Sequence, residues 1–338
     1  MKTRTAAPRR LRPSLPLRRP QFGELAQQLV GLRSRDLDDA LAEQEQDGGR
    51  LGDLLMARSL LNYEQVREVL RQQARWLAAT RQADVFPHGL PDRRLFSLCM
   101  PAYNEAENIE SCIDTAVTVL PEFFQEFEVV VVNDGSRDNT AQIIADYHRR
   151  DSRVRLVNHQ VNRGYGAAVS SGLRAATGDL VCFTDGDGQF SPLDVLQLLL
   201  ALDDADVAIG YRYQRADVGA RKFNAWAWNR LIRLMLGVRV RDLDCALKLF
   251  TRPVIDRLEL TAQGACINAE ILVQCVRFGC VIREVPVMHY PRYRGAPTGA
   301  NLKVITKAFR ELPQLWKYRS IQPTPLVDPT PVGEHSAA

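Results

Sequence analysis

Apolar β-prone runs alternate with helical patterns through the C-terminal two thirds of the chain. The runs are short and nearly continuous in apolar character, which is typical of strands buried on both faces of a sheet. Strands that alternate with helices indicate a parallel sheet covered by helices. The sequence therefore predicts an α/β fold with a mainly parallel sheet, preceded by a small all-α domain. The predicted strands are Phe96–Met100, Glu128–Val132, Val154–Asn158, Leu180–Thr184 and Ile282–His289.

The N-terminal part contains an internal repeat across residues 22–73, with an offset of 29 residues. Each copy predicts a short helix, a turn and a second helix, which is opened by a capping residue, Ser34 or Asn62. Two such copies predict a small helical bundle, because neither copy can bury its apolar face alone. The repeated positions are Gly23, Leu25, Leu32, Leu41 and Gln44, matched by Gly52, Leu54, Leu61, Leu70 and Gln73.

Composition changes set the domain boundaries. Residues 1–20 hold seven basic residues, four prolines and no acid, which predicts a disordered tail. That tail is either a solvated arm or a contact for anionic lipid or nucleic acid. The helical two-repeat module is predicted over residues 21–80, a linker over 81–94, the main domain over 95–319 and a disordered Pro-rich tail over 320–338.

Charge and cysteine content restrict the class of protein. The formal net charge is +4, but the basic residues of the N-terminal tail leave −3 for the rest, so no nucleic-acid partner is predicted. The sequence has no apolar stretch of membrane-spanning length and no signal-peptide core. Seven cysteines without a Cys-x-x-Cys pair indicate reduced thiols. We expect a cytoplasmic protein whose membrane contact, if any, is peripheral, at the inner face of the cell membrane.

Two aspartates follow the fourth predicted strand. Asp185 and Asp187 are flanked by Gly186 and Gly188. Open α/β sheets bind ligands beyond the carboxyl ends of their strands. Two carboxylates at that position could hold a divalent cation together with the phosphates of a nucleotide. The alternative is a polar turn, since Asp and Gly are common turn residues.

Other strand ends also carry polar side chains, among them Glu105, Asp134 and Ser136. Each has a local alternative as a turn or helix-entry residue. Because the ends of parallel strands share one rim, the pattern nevertheless predicts one binding crevice. No Gly-x-Gly-x-x-Gly segment follows the first strand and no P-loop occurs, so neither a dinucleotide site nor a P-loop site is predicted.

Four ordered motifs carry a resemblance to a known family. They are Pro101-Ala-Tyr-Asn-Glu105, Val132-Asn-Asp-Gly-Ser-Arg-Asp138, Asn162-Arg-Gly-Tyr-Gly166 and Thr184-Asp-Gly-Asp-Gly-Gln189. Across residues 95–292 the chain resembles family 2 glycosyltransferases with a GT-A fold, and most closely the dolichol- or polyprenol-phosphate sugar synthases.

The resemblance implies roles for the residues of these motifs. A divalent cation, Mg²⁺ or Mn²⁺, and the donor diphosphate would be held by Asp185, Asp187 and Gln189. The nucleoside would be held by Pro101, Tyr103, Glu105, Asp134 and Ser136.

The acceptor side is implied by later residues. Arg212 and Arg221 would handle the donor and acceptor phosphates, and Arg212 would also contribute to the donor site. Asp242, Asp244 and Lys248 would face the acceptor, with surface loop charge as the alternative. The catalytic set is thus predicted to be Asp187, Arg212, Arg221, Asp242, Asp244 and Lys248.

Two later segments leave alternatives open, and a third predicts a helix. Residues 222–236 predict a helix rich in Trp, Leu and Arg, suited to a lipid interface or to ordinary packing. Arg292 and Arg294 lie in a loop that is either a flap over phosphates or merely basic. An amphipathic helix is predicted over Asn301–Tyr318.

The N-terminal module is similar to the N-terminal domain of type II secretion and pilus-assembly ATPases, which in some members binds cyclic di-GMP. Arg50-Leu51-Gly52 fits the second motif of that domain. The first copy has Gln21 where arginine is expected, and the second has Ser59 where glycine is usual. Both a cyclic di-GMP sensor and a structural or docking module remain open.

The predicted activity is inverting transfer of a sugar from a nucleotide-diphosphate sugar to a polyprenyl- or dolichyl-phosphate acceptor, with a divalent metal. A lipid phosphate needs no strong general base, whereas a glycan hydroxyl would need Asp242 or Asp244 to accept its proton. A silent cyclic di-GMP effector is a further alternative. A sugar-nucleotide pyrophosphorylase is not favoured, because it would need a Gly-rich arginine loop directly after the first strand.

Overall fold

The N-terminal module consists of four helices that follow the repeat. The structure, a computed structural model, describes residues 21–47, 50–82, 90–212, 230, 232–290, 292, 311–316 and 318. In the second copy, Asn62 and Gln65 each accept a hydrogen bond from the other's backbone N–H, at 2.9 and 2.8 Å, which fixes the start of the last helix. The helices are α1 (Phe22–Val30), α2 (Ser34–Asp47), α3 (Leu51–Ala57) and α4 (Tyr63–Gln82).

Helix α4 extends beyond the repeat and reaches the second domain. The repeat ends at residue 73, yet Ala74 and Leu77 of the same helix are fully buried in the core of the α/β domain. Burial of these apolar side chains stabilises the extension. The predicted helical repeat is therefore present, and its last helix also packs on the domain that follows.

A seven-stranded sheet forms the centre of the α/β domain, in the order β3-β2-β1-β4-β6-β5-β7. Its strands are β1 (Phe96–Ala102), β2 (Phe127–Asp134), β3 (Val154–His159), β4 (Leu180–Phe183), β5 (Val207–Arg212), β6 (Lys248–Thr251) and β7 (Ile282–Val287). The helices of this domain include α5 (Ile109–Val119), α6 (Thr140–Arg150), α7 (Tyr165–Ala175), α8 (Val195–Ala201), α9 (Arg252–Arg257) and α10 (Ile267–Arg277).

Most neighbouring strands are parallel, as predicted. The pairs β1–β2, β2–β3, β1–β4 and β5–β7 are parallel, whereas β6 runs antiparallel to both β4 and β5. Every residue of β1, β2 and β4 is buried, which explains their continuous apolar sequences. The sequence pattern did not predict β5 and β6, and the last strand ends at Val287 rather than at His289.

Glu128 is a buried acid that joins three parts of the core. Its carboxylate accepts hydrogen bonds from Ser97 Oγ at 2.7 Å and from the Thr177 backbone N–H at 2.6 Å, and it pairs with Arg155. Ser97 lies on β1 and Glu128 on β2, whereas Thr177 precedes β4. These bonds satisfy a group whose burial would otherwise be costly.

The module docks on α5 through several polar contacts. Tyr63 donates a hydrogen bond to Asp114, and Arg67 Nε donates to Thr118 Oγ1 at 3.1 Å. At the far end of α5, Arg75 Nε pairs with Glu122 Oε1 at 3.1 Å. The module therefore lies along the full length of α5.

The cysteines are reduced, as expected. All seven are free thiols, and six of them are buried. Among the residues that the structure describes, no helix is long and apolar enough to cross a membrane. Of the predicted helices 222–236 and 301–318, residues 230, 232–236 and 311–315 are α-helical, residues 316 and 318 have 3-10 geometry, and the others lie outside the described residues.

Candidate active site

The aspartate pair lies where β4 ends, beside the end of β1. The Gly186 backbone N–H donates to the Pro101 carbonyl at 3.3 Å, and this bond holds the loop against β1. A Cβ added at Gly186 would come within 3.1 Å of the same carbonyl oxygen. The close approach of the two backbones therefore favours glycine between the aspartates.

Both aspartates are largely enclosed. Asp185 Oδ1 accepts a hydrogen bond from the Tyr165 hydroxyl at 2.9 Å, and Asp187 Oδ1 accepts one from the Gln189 N–H at 3.0 Å. Burial raises the pKa of both carboxyls, and the neighbouring charge of Asp187 raises the pKa of Asp185 further. The buried hydroxyl of Thr184, one residue before Asp185, has no hydrogen-bond partner among the described residues. A bound cation would relieve the repulsion between the two carboxylates.

Arg292 approaches the pair from the segment after β7. Its guanidinium forms an ion pair with Glu105, and Nη1 lies 3.8 Å from Asp187 Oδ2. Burial raises the pKa of Glu105, while Asn108 and Arg292 oppose that rise. Arg292 therefore lies beside the aspartate pair, and its role over the phosphates stays a prediction. Arg294 lies outside the described residues.

Gln189 connects the loop to the same segment. Its side-chain Nε2 donates to the Tyr290 carbonyl at 3.1 Å, and its own carbonyl accepts from the Tyr290 N–H at 2.9 Å. The amide nitrogen is thus used within the protein. For the predicted metal ligand Gln189, the side-chain oxygen is therefore the atom that could coordinate a cation.

Asp134 is fully enclosed at the end of β2. Its Oδ1 contacts His159 Nδ1 at 2.7 Å and accepts from the Arg163 N–H at 2.9 Å, while Oδ2 accepts from the Gly164 N–H at 2.8 Å. The carboxylate therefore fixes the loop that precedes α7. This loop-holding function was not predicted from the sequence.

The segment after β1 is tied to the segment after β2. The Asn104 N–H donates to Ser136 Oγ at 2.9 Å, and Asn104 Oδ1 accepts from the Arg137 N–H at 2.8 Å. Asn104 adopts a left-handed conformation, with φ of 54°. Pro101 ends up within β1 and Tyr103 is half-buried just beyond it, so the residues predicted to bind the nucleoside do share one rim.

Arg212 lies at the end of β5 and is paired with Asp242. Their contacts are bidentate, with Nε to Oδ2 at 2.6 Å and Nη2 to Oδ1 at 2.8 Å. Burial lowers the pKa of Arg212, but the hydrogen bonds and charge of Asp242 outweigh this and raise it. Burial raises the pKa of Asp185, and the positive charge of Arg212 partly opposes that rise.

Lys248 departs from its predicted position. It was expected to face the acceptor, but the structure buries it completely at the start of β6. Its ammonium donates to the carbonyls of Leu243 and Cys245 and to Asn268 Oδ1, and burial lowers its pKa. Lys248 therefore ties the preceding loop to α10. Asp244 lies in that loop and is half-buried, and Arg221 lies outside the described residues.

Two residues of this region were not assigned to it from the sequence. Tyr165 belongs to one of the four recognised motifs, but no local sequence pattern indicates that its hydroxyl bonds to Asp185. Arg50 of the helical module donates through Nε to the Gly188 carbonyl at 3.2 Å. That contact joins residues far apart in sequence, so no spacing or periodicity could have indicated it.

The comparisons with known proteins agree with this geometry. Residues 97–258 match the family model described as Glycosyl transferase family 2. Dolichyl-phosphate beta-glucosyltransferase ALG5A of Trichomonas vaginalis is 32% identical over 207 residues, with 56% of this chain and 64% of that protein covered. Dodecaprenyl-phosphate galacturonate synthase of Rhizobium johnstonii is 30% identical over 206 residues, with 59% and 60% covered. The chain thus spans less than two thirds of the length of these relatives.

A solved structure shares the fold. Glucosyl-3-phosphoglycerate synthase of Mycobacterium tuberculosis, in complex with Mn²⁺, uridine diphosphate and glucosyl-3-phosphoglycerate, has a TM-score of 0.53 and 22% identity. The match covers 74% of this chain and 84% of that one. The prediction of a GT-A fold is confirmed, and so is the resemblance of residues 97–258 to family 2 glycosyltransferases.

Proposed function

We propose that the chain is a family 2 glycosyltransferase that moves a sugar from a nucleotide-diphosphate sugar to a polyprenyl or dolichyl phosphate. The observation that carries the proposal is the largely enclosed Asp185 and Asp187 pair after β4, with Arg292 alongside. The names of the relatives from Trichomonas vaginalis and Rhizobium johnstonii support the acceptor class.

A divalent cation, Mg²⁺ or Mn²⁺, is the cofactor that this site would take. Two enclosed carboxylates one residue apart form an oxygen donor set that suits either ion. Among the described residues, no group of three His, Cys, Asp or Glu side chains could hold a metal. We therefore infer that Asp185, Asp187 and the Gln189 side-chain oxygen supply part of the coordination and that donor phosphates complete it. When bound, the cation would supply charge that stabilises the departing diphosphate.

The nucleoside would lie along the rim formed by Pro101, Tyr103, Glu105, Asp134 and Ser136. Support comes from the bond between Asn104 and Ser136, which brings the ends of β1 and β2 together. Asp134 already accepts bonds from the loop that precedes α7, so its contribution would be to hold that loop in place as much as to touch the base.

The reaction we propose is in-line displacement with inversion. The acceptor oxygen forms a bond to the anomeric carbon as the bond from that carbon to the diphosphate oxygen breaks, and the electron pair leaves with the diphosphate. Arg292 and Arg212 are the cations of the described site that can offset this charge.

The pairing of Asp242 with Arg212 affects which acceptor the site would use. A glycan hydroxyl would require a carboxylate to accept its proton, and Asp242 or Asp244 was the candidate. Both oxygens of Asp242 are engaged by Arg212, which makes it a poor base. A lipid phosphate oxygen is already anionic near neutral pH and needs no such base. The engagement of Asp242 by Arg212 therefore favours the lipid phosphate, and for a glycan hydroxyl it leaves Asp244 as the candidate base.

An apolar surface supports peripheral membrane contact. Leu234 and Trp316 have 71% and 48% of their surface exposed. Nearby, Met235, Leu312, Pro313 and Trp316 line a cavity of about 590 Å³. We propose that this surface meets the headgroup region where a lipid acceptor resides. Sedimentation with anionic vesicles tests it: the variant Leu234→Ser with Trp316→Ser should remain in the supernatant, and unchanged co-sedimentation would contradict the contact.

The decisive experiment is incubation of the protein with a panel of nucleotide sugars, Mn²⁺ and a short polyprenyl phosphate, followed by mass analysis of the lipid fraction. We expect one sugar to add to the lipid phosphate, and chelation of the metal to stop the reaction. Transfer only to a glycan hydroxyl would favour the alternative acceptor. Absence of any transfer or donor hydrolysis would favour the silent effector.

Cyclic di-GMP binding by the module stays a prediction. A cavity of about 690 Å³ lies between the module and α5, and its lining includes Arg50, Tyr63 and Arg150. These side chains could meet an anionic nucleotide, yet the bonds of Arg50 to the second domain support the docking alternative. Calorimetric titration of the full chain with cyclic di-GMP separates the two, since a docking module gives no heat of binding.

A further inference from the structure

We propose that Arg50 of the helical module is a positioning residue that holds the Asp185–Gln189 loop in the shape needed for metal binding. The inference rests on the proposed function, because it assigns a purpose to a contact at the proposed metal site. The helical module would then contribute a residue that orients the proposed metal ligands.

Arg50 connects the loop to α5 with one guanidinium. Nε donates to the Gly188 carbonyl at 3.2 Å, and Nη1 donates to Thr115 Oγ1 at 2.9 Å. A weaker contact joins Nη2 to Cys112 Sγ at 3.6 Å. Because the guanidinium group is planar and rigid, bonds from its separate nitrogens fix the loop relative to the helix.

A second bond on the other side of Asp187 completes the arrangement. The Cys112 thiol donates to the Gly186 carbonyl at 3.4 Å. The carbonyls that flank Asp187 are therefore both held by groups attached to α5, one directly and one through Arg50. With both neighbours fixed, the backbone of Asp187 has little freedom to turn its carboxylate away.

The fit between Arg50 and Gly188 is close. Gly188 has φ of +79°, and a Cβ added there would lie 3.3 Å from Arg50 Nη2 and 3.6 Å from its Cζ. The guanidinium thus covers the face of Gly188 that a side chain would occupy.

Other contacts hold the module in place without reaching the loop. Arg67 bonds to Thr118 and Arg75 pairs with Glu122, both toward the far end of α5. Docking therefore does not depend on Arg50 alone. Arg75 is a matched control, since it is also an arginine of the module that pairs across the same interface.

The first measurement is hydrogen exchange of the metal-free full chain, read by mass spectrometry on peptides that cover residues 184–190. Three amides there donate hydrogen bonds: Thr184 to the Cys99 carbonyl, Gly186 to the Pro101 carbonyl and Gln189 to Asp187 Oδ1. We expect Arg50→Ala to exchange faster than Arg75→Ala in this segment only. Equal exchange in the two variants would overturn the inference.

The second measurement is Mn²⁺ affinity from the electron paramagnetic resonance signal of the free ion. Arg50→Ala should bind Mn²⁺ about tenfold more weakly than Arg75→Ala, as for other residues that orient metal ligands. If Arg50→Ala melts well below Arg75→Ala, Arg50→Lys replaces it, because lysine keeps the charge but cannot bond both groups in the same geometry.

The outcomes separate the two proposals. Mn²⁺ binding by the wild type with equal affinity in the Arg50 and Arg75 variants overturns the positioning inference alone. No Mn²⁺ binding by the wild type overturns the proposed metal site, and the inference with it. Faster exchange together with weaker binding in the Arg50 variant supports both.

Discussion

Arg212 and Asp242 form a bidentate ion pair that is almost enclosed, with 12% and 7% of their side-chain surface exposed. Removing one partner of such a pair leaves an uncompensated buried charge. Asp242→Asn should therefore lower the free energy of unfolding by about 3 kcal/mol. Urea denaturation at neutral pH measures the loss.

The matched control for this pair is Asp256→Asn. Asp256 also pairs with an arginine, Arg252, at 3.5 Å, but 62% of its side chain is exposed. Its replacement should cost less than about 1 kcal/mol. Equal losses of unfolding free energy in the two variants would show that burial does not make the Arg212–Asp242 pair more important for stability than an exposed pair.

Asp187→Asn should lower sugar transfer without lowering the stability of the protein. The substitution removes one of two adjacent buried carboxylates, so the metal-free variant should melt no lower than the wild type. Sugar transfer should fall by about 10²-fold or more, as for other losses of charge stabilisation in an active site. Retention of full activity would remove Asp187 from the mechanism. Asp146→Asn, at an exposed position, is the control and should change neither property.

Gly188→Ala and Gly31→Ala form a pair that isolates the contact with Arg50. Both glycines have left-handed backbones, with φ of +79° and +72°, so each alanine should cost about 1 kcal/mol from backbone strain. Nothing lies within 4 Å of a Cβ at Gly31, whereas one at Gly188 meets Arg50. Mn²⁺ affinity should fall only in the Gly188 variant. If Mn²⁺ affinity falls equally in both variants, or falls in neither, the close fit between Gly188 and Arg50 is contradicted.

Glu128 should make stability depend on acid pH. Burial raises its pKa, but hydrogen bonds from Ser97 and Thr177 and the bond from Arg155 outweigh this and lower it. The folded state therefore favours the ionised form, and its contribution is present above the unfolded pKa of about 4.3 and lost as pH falls through the lower folded value.

The difference in unfolding free energy between the wild type and Glu128→Gln should thus be largest at neutral pH and shrink below about pH 4. Urea titrations at several pH values give this difference directly. A difference that is constant with pH would mean that the carboxylate charge does not contribute. Glu110→Gln, in an exposed pair with Arg150, should show a small difference throughout.

The parts of the site that sequence predicted are those set by local structure. Asp134 is the last residue of a buried strand, and Asp185 and Ser136 follow buried strands, which are evident from continuous apolar runs. Parallel pairing then places their ends on one rim. The helical repeat was predictable for the same reason, since a capping residue such as Asn62 marks a helix start within a few residues.

The parts that were missed depend on long-range contacts. A lysine is usually a surface residue, but Lys248 is buried because Leu243, Cys245 and Asn268 together provide its hydrogen-bond acceptors. Likewise, the short strand β6 carries no alternating pattern, and its pairing with β4 and β5 defines it. Arg50 belongs to the same class, because its partners lie in another domain.

The place of β6 in the sheet has a consequence for synthesis of the protein. β6 lies between β4 and β5, yet its residues are translated after both. While residues 184–247 are being added, the edge of β4 that will pair with β6 has no partner, and such open edges promote aggregation. The helical module is complete before this interval begins. A nascent chain therefore carries a finished module on a half-built sheet, and protection by chaperones matters most until residue 251 has emerged.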